Sequence, residues 1–144
     1  MATPYSSIFD LFLVSIQDYK IDNLYISSPT SFETYLKGFL IKGLINFTNC
    51  KQDLEDRNDT SNTFNITLTT TEQVILSNLM VIEWLTKEVN DIKQMQLHLQ
   101  DGDFKTYAEA NNLKEKNALL TSTRENVDRQ MNKYSYSNID WTTL

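Results

Sequence analysis

The chain has 144 residues, 40% hydrophobic and 22% charged, which favours one domain with a genuine core and excludes wholesale disorder. A formal net charge of −6 and a pI of about 4.7 exclude a protein whose main task is gripping phosphates, because that affinity comes from Lys and Arg. With Cys50 as its one cysteine the chain can form no intrachain disulfide, which fits a reducing compartment.

In chain order, Pro4 with Ser6 and Ser7 reads as a helix entry, followed by Ile8, Phe9, Phe12, Leu13, Ile16 and Tyr19 at helical spacing. Periodicity lapses over 21–29, and Ser28-Pro29 marks a boundary because the residue before proline avoids the helical region. Thr30 with Glu33 forms a capping-box pattern that predicts the second helix, carried on by Phe32, Tyr35, Leu36, Phe39, Leu40, Leu44 and Phe47. Gly38 and Gly43 interrupt it at about 1 kcal/mol each against Ala, pointing either to a close neighbouring element or to a tolerated kink.

Residues 50–68 are polar and read as a partly ordered loop with at most one helical turn near Asp53, ending in the β-leaning Phe64-Asn65-Ile66-Thr67. Thr69 with Glu72 forms a second capping box, which opens a helix over 74–89 that is apolar nearly all round and therefore central. A separate short helix is predicted over 92–99, broken at Asp101-Gly102-Asp103. A long, half-exposed helix over 109–134 carries Ala110, Leu113, Asn117, Leu120, Arg124, Val127, Met131 and Tyr134 at alternating steps of four and three residues beyond Leu113. The fold class is all-α: a small bundle of four to five helices, residues 1–134, with a long C-terminal helix and an extended C-terminal tail, residues 135–144.

The chemistry-bearing residues are sparse. His98 is the lone histidine, and with Cys50 it cannot supply the several ligands an imidazole or thiolate metal site needs. The acidic loop of Asp53, Glu55, Asp56 and Asp59 departs from a calcium loop at its fifth, sixth and twelfth positions, which hold Arg57, Asn58 and Phe64. It reads as a solvated loop, with partner recognition as the functional alternative. Asp101 and Asp103 flank Gly102, where nothing would raise a carboxyl pKa for acid catalysis. No catalytic residue, cofactor or metal is expected. Asp10 breaks the first apolar stretch, so no signal segment is read, and the densest apolar run, 74–85, is too short to span a bilayer.

The C-terminal segment is the most purposeful part. Tyr134, Tyr136, Ile139, Trp141 and Leu144 crowd the last eleven residues, and Tyr and Trp dominate protein interfaces. They either fold back on their own bundle or are captured by another subunit; partner binding is the assigned role.

The order of segments completes the reading. Thr3-Pro4-Tyr5-Ser6 precedes Ile8-Phe9-Asp10; Asn49-Cys50-Lys51-Gln52-Asp53-Leu54 precedes a loop; Phe64-Asn65-Ile66-Thr67-Leu68-Thr69 leads into a helix with Met80-Val81-Ile82-Glu83-Trp84-Leu85. Asp103-Phe104-Lys105, Tyr107, Ala110-Asn111 and Tyr134-Ser135-Tyr136-Ser137-Asn138 follow. The whole resembles head–tail connector (adaptor or head-completion) proteins of tailed phages and prophages of Gram-positive bacteria, although the final Ile139-Asp140-Trp141-Thr142-Thr143-Leu144 has no counterpart in that pattern. The resemblance implies a helical virion subunit made in the host cytoplasm and placed in the neck. Copies of it would ring the DNA channel beneath the portal protein and receive the next connector or tail protein, with DNA passing through unread and no membrane involved. A stopper-type neck or tail-completion protein and a small non-virion regulatory or binding module are the alternatives.

Overall fold

The computed structural model describes residues 2–16, 26–98 and 103–137, with side-chain surroundings for all of these except 95–98 and 103–110. The elements bounded within these residues are β1 (Thr3–Pro4), α1 (Tyr5–Ser15), α2 (Pro29–Leu44), β2 (Arg57–Asn58), β3 (Thr63–Phe64), α3 (Thr70–His98) and α4 (Asp103–Ser137). The fold is a helical bundle, as the periodicity predicts. Among the described residues no helix is long and apolar enough to cross a membrane.

The first two helices bury apolar stripes that the sequence marks. In α1, Tyr5, Ile8, Phe9 and Phe12 are buried, and in α2, Leu36, Phe39, Leu40, Gly43 and Leu44, both at three- and four-residue steps. The cap of α2 lies two residues earlier than Thr30. Ser28 Oγ accepts the Ser31 N–H at 3.4 Å and Pro29 takes the first helical turn, where its missing N–H costs nothing. α3 is the centre. It packs against α1, α2 and α4 and buries Ile75, Leu76, Leu79, Met80, Val81, Trp84, Leu85, Val89 and Ile92. No separate helix occupies 92–98: α3 runs unbroken to His98, because the chain holds no Gly or Pro between Thr70 and His98 to stop it.

The two glycines of α2 divide the alternatives between them. A Cβ on Gly43 would sit 3.2 Å from the Leu79 carbonyl carbon and 3.3 Å from Met80 N, so the α2 and α3 backbones need that glycine to meet, whereas Gly38 faces open space. Gly38→Ala should therefore raise stability by about 0.5–1 kcal/mol, while Gly43→Ala should gain nothing or lose stability as α2 is pushed off α3. Paired denaturant titrations check this.

Residues 50–68 are more ordered than a polar loop. β3 forms the middle of a three-stranded antiparallel sheet, with Thr3 and Arg57 both paired to Phe64, and Pro4 and Asn58 both paired to Thr63. Asn58 Oδ1 accepts the N–H groups of Thr60 and Ser61, and Asn62 turns the chain at φ 57°, a conformation that Asn tolerates. Buried Thr3 ties the sheet to the segment that leads into α3: its hydroxyl donates to Ile66 O and accepts Leu68 N–H, both at 2.9 Å. Leu54, Phe64 and Leu68 are buried, with Phe64 tilted on the Tyr5 ring at 5.0 Å.

Candidate functional site

α4 spans 35 residues, about 52 Å, and lies antiparallel along α3, with Tyr134 near its start, Gln130 beside Asn78 and Lys116 over Trp84. Its buried line is narrow. Leu120, Val127 and Tyr134 are buried and Leu113 half-buried, seven residues apart, and between them Lys116, Thr123 and Gln130 are half-buried. The predicted intermediates Asn117 and Arg124 are exposed; Met131 is half-buried. Polar residues can hold those inner positions because each finds a partner or a surface. The Lys116 ammonium sits 4.8 Å from the Trp84 ring, and Asn78 Nδ2 donates to Gln130 Oε1 at 2.9 Å.

At the far end α4 is pinned by Glu72. The Thr69–Glu72 capping box forms as predicted: Thr69 N–H reaches Glu72 Oε1 at 2.8 Å, and Glu72 N–H reaches Thr69 Oγ1 at 3.2 Å. Glu72 is only 2% exposed, and its carboxylate collects further donors. Gln52 Nε2 donates to Oε1 at 2.7 Å, and the Tyr134 hydroxyl donates to Oε2 at 2.7 Å, with the Cys50 thiol at 3.7 Å. The Tyr134 oxygen in turn accepts Lys51 N–H at 3.0 Å, and Asn49 Nδ2 donates to Met131 O at 2.9 Å. Tyr134, read from sequence as a partner-binding residue at the tail boundary, is thus an interior residue, stacked edge-on against Phe47 at 5.3 Å. Its capture by a hydrogen-bonded carboxylate outweighs whatever a free surface position would offer.

This buried network shifts its own titrations. Burial pushes the Glu72 carboxyl up, but the donors from the Thr69 backbone, Tyr134 and Gln52 outweigh it and hold the carboxyl below its ordinary range. Burial above all, with the Glu72 carboxylate beside it, drives the Tyr134 phenol well above the usual tyrosine range; Tyr5 is raised likewise, by burial and then by Asp59. Glu72, lowered in the fold, contributes stability that is present above its unfolded pKa and is lost as pH falls through the folded one. The two phenols, raised in the fold, contribute stability that is present below the ordinary tyrosine pKa and is lost as pH rises past it. Spectrophotometric titration should therefore show Tyr5 and Tyr134 ionising only as the chain unfolds in alkali. Tyr134→Phe should remove one of these late phenols. Ionisation of all seven before the far-ultraviolet signal is lost would contradict the assignment.

The acidic loop is engaged internally. Asp59 Oδ1 accepts the Tyr5 hydroxyl at 2.6 Å and Arg57 Nε at 3.3 Å, and the first of these chiefly holds its carboxyl low. Lys37 Nζ donates to the Asp59 carbonyl. Arg57 also pairs with Glu55 at 3.0 Å, Asp56 accepts Asn65 Nδ2 at 3.0 Å, and Asp53 caps Glu55 N–H at 3.0 Å. All four acids remain solvent-facing while they shape the turn. Cys50 is half-buried with its thiol pushed up by burial, and His98 lies in α3.

Open grooves flank α4. One groove of about 460 Å³ runs between α4 and the end of α1, over Val81 and Trp84; a second of about 420 Å³ runs on its other flank, over Leu79 and Ile82. Val14, Ile26, Ile45, Leu119 and Tyr136 are exposed apolar or aromatic side chains. Comparison of the chain with protein-family models, curated proteins and solved structures returned no match. Tyr136 is 66% exposed, and residues 135–137 continue α4 as helix where the sequence suggested extended tail. Ile139, Trp141 and Leu144 lie outside the described residues. Sequence reasoning missed Gln52 and Lys51 as partners of the Glu72–Tyr134 pair; the capping box was the one local signal, and it speaks only for Thr69.

Proposed function

We propose that this chain is a structural adaptor of a phage head–tail connector, a non-catalytic subunit copies of which ring the DNA channel beneath the portal and receive the next connector or tail protein. The observation that carries this reading is α4, a 35-residue helix held to α3 by one narrow seam and flanked by open grooves. A helix buried on so thin a line presents its remaining faces to neighbours. The segment order beginning at Thr3-Pro4-Tyr5-Ser6 and closing at Tyr134-Ser135-Tyr136-Ser137 supports the same station. The acidic balance suits a channel that lets DNA slide. Predominant helix favours the adaptor over a β-rich stopper.

In this reading Tyr136, Ile139, Trp141 and Leu144 dock on the adjoining ring, and the exposed acids Asp53, Glu55, Asp56 and Asp59 face a partner or the channel. The protein is made in the host cytoplasm and carried in the virion neck. A portal gene is expected beside its own. Rings of that portal should bring the chain down in co-sedimentation, and a chain ending at Ser137 should remain folded but stay in the supernatant. Undiminished binding by the shortened chain would remove the docking role from the tail, and failure of the full chain to bind would remove the adaptor reading.

A further inference from the structure

The groove between α4 and the end of α1 carries a cation that its own chain leaves unanswered. Buried Val81, Trp84 and Val127 line it, with Leu119, 51% exposed, at its edge. Arg129 stands on its α4 wall and is exposed. The Arg129 guanidinium donates to the Glu125 carbonyl at 3.4 Å and to Asn126 Oδ1 at 3.1 Å, and among the described residues it pairs with no carboxylate. Lys133 is exposed one turn further along α4, and like charges four residues apart on a helix repel each other. An anion brought to this flank relieves that repulsion.

The matching anions are fixed elsewhere. Asp53, Glu55, Asp56 and Asp59 are all exposed, and Arg57 answers Glu55 and Asp59 within the segment. Asp53 and Asp56 take only neutral donors, the Glu55 N–H and Asn65 Nδ2, each at 3.0 Å. This segment cannot swing onto its own groove. β2 is paired with β3, and Asp59 is bonded to Tyr5, the first residue of α1, whereas the groove opens beside Ser15, the last, about 15 Å along that helix. The fold thus exposes an unpaired cation and two unpaired anions and holds them apart in one chain, while a second copy offers each to the other. We infer that the α1–α4 groove receives the Asp53–Asp56 segment of a second copy of this chain, with Asp53 and Asp56 facing Arg129 over the apolar floor. The inference rests on the adaptor reading, in which those acids face a partner or the channel, and names the partner as the neighbouring subunit. The contact joins two different surfaces, so its repetition either closes into a ring or propagates.

The test is sedimentation velocity of the full-length chain over a concentration series. Arg129→Glu reverses the charge at the groove and keeps the acids. Asp53→Asn with Asp56→Asn removes the two charges, keeps an oxygen for each hydrogen bond, and leaves the groove intact. Each of these chains alone should self-associate at least about 10-fold more weakly than the parent, the effect of losing one interface charge pair. Mixed, they should pair, since one supplies the groove and the other the acids. Leu119→Glu, at an exposed position, gives a second groove variant with the same expected loss, and thermal melts verify that every variant folds. Raising the salt should weaken the parent's association, because the attraction is between solvent-facing charges. A parent that stays monomeric throughout the series would overturn the inference, as would undiminished association in Arg129→Glu or a mixture that fails to pair. Portal co-sedimentation is scored separately: self-association without portal binding would uphold this contact and sink the adaptor reading, and portal binding by a chain that never self-associates would do the reverse.

Discussion

Trp84→Ala should lower the stability of the fold by about 3–5 kcal/mol, the range for truncating a large aromatic in a packed interior. Trp84 is 4% exposed and sits on α3, the helix against which α1, α2 and α4 all pack. Removing it opens a void at the floor of the α1–α4 groove and withdraws the ring over which Lys116 lies at 4.8 Å. The surrounding helices are tied elsewhere, α4 through Tyr134 and Asn78–Gln130, so they cannot collapse freely into the space. For a chain of this length the loss corresponds to a fall of roughly 10 °C or more in melting temperature. Trp84→Phe should recover a good part of it, because most of the apolar volume returns. A Trp84→Ala chain melting within a degree or two of the parent would mean that the ring serves the groove and not the core.

Helices were legible in this sequence because each carries its own period, and the Thr69–Glu72 capping box was legible because both partners are three residues apart. What the sequence concealed is non-local. β1 is two residues long and finds its partner at Thr63 and Phe64, so no run of alternating residues announces the sheet. Glu72 was visible as a cap, but its second oxygen is satisfied by Tyr134, sixty-two positions away. The seam of α4 was half legible: the Leu113, Leu120, Val127, Tyr134 line stands out, whereas Lys116, Thr123 and Gln130 are polar and give no hydropathy signal. The break predicted before 92 does not occur, since no Gly or Pro lies between Thr70 and His98 to stop the helix. Tyr134 was grouped with the tail because it is aromatic and followed by another tyrosine; only the fold separates the buried residue from exposed Tyr136.

That separation yields the other large expected effect. Tyr134 is 6% exposed, its ring against Phe47 and its hydroxyl between Glu72 and the Lys51 N–H. Tyr134→Phe keeps the ring and leaves a buried carboxylate short of one donor and a backbone N–H short of its acceptor. A hydrogen bond to a charged group contributes about 1.5–3 kcal/mol, so a loss of that size is expected. Tyr134→Ala adds a cavity against Phe47 and should cost about 3–5 kcal/mol in all. Because the phenol and Glu72 act as one unit, Glu72→Gln combined with Tyr134→Phe should lose less than the sum of the two single changes, which a double-mutant cycle in denaturant measures. Additive losses would show that the 2.7 Å contact carries little energy. The same logic locates the end of the folded part. A chain ending at Ser137 keeps the whole Glu72 network and should melt with the parent, while one ending at Lys133 loses Tyr134 and should melt far lower, by roughly the Tyr134→Ala shift. Equal melting temperatures for those two shortened chains would return Tyr134 to the surface.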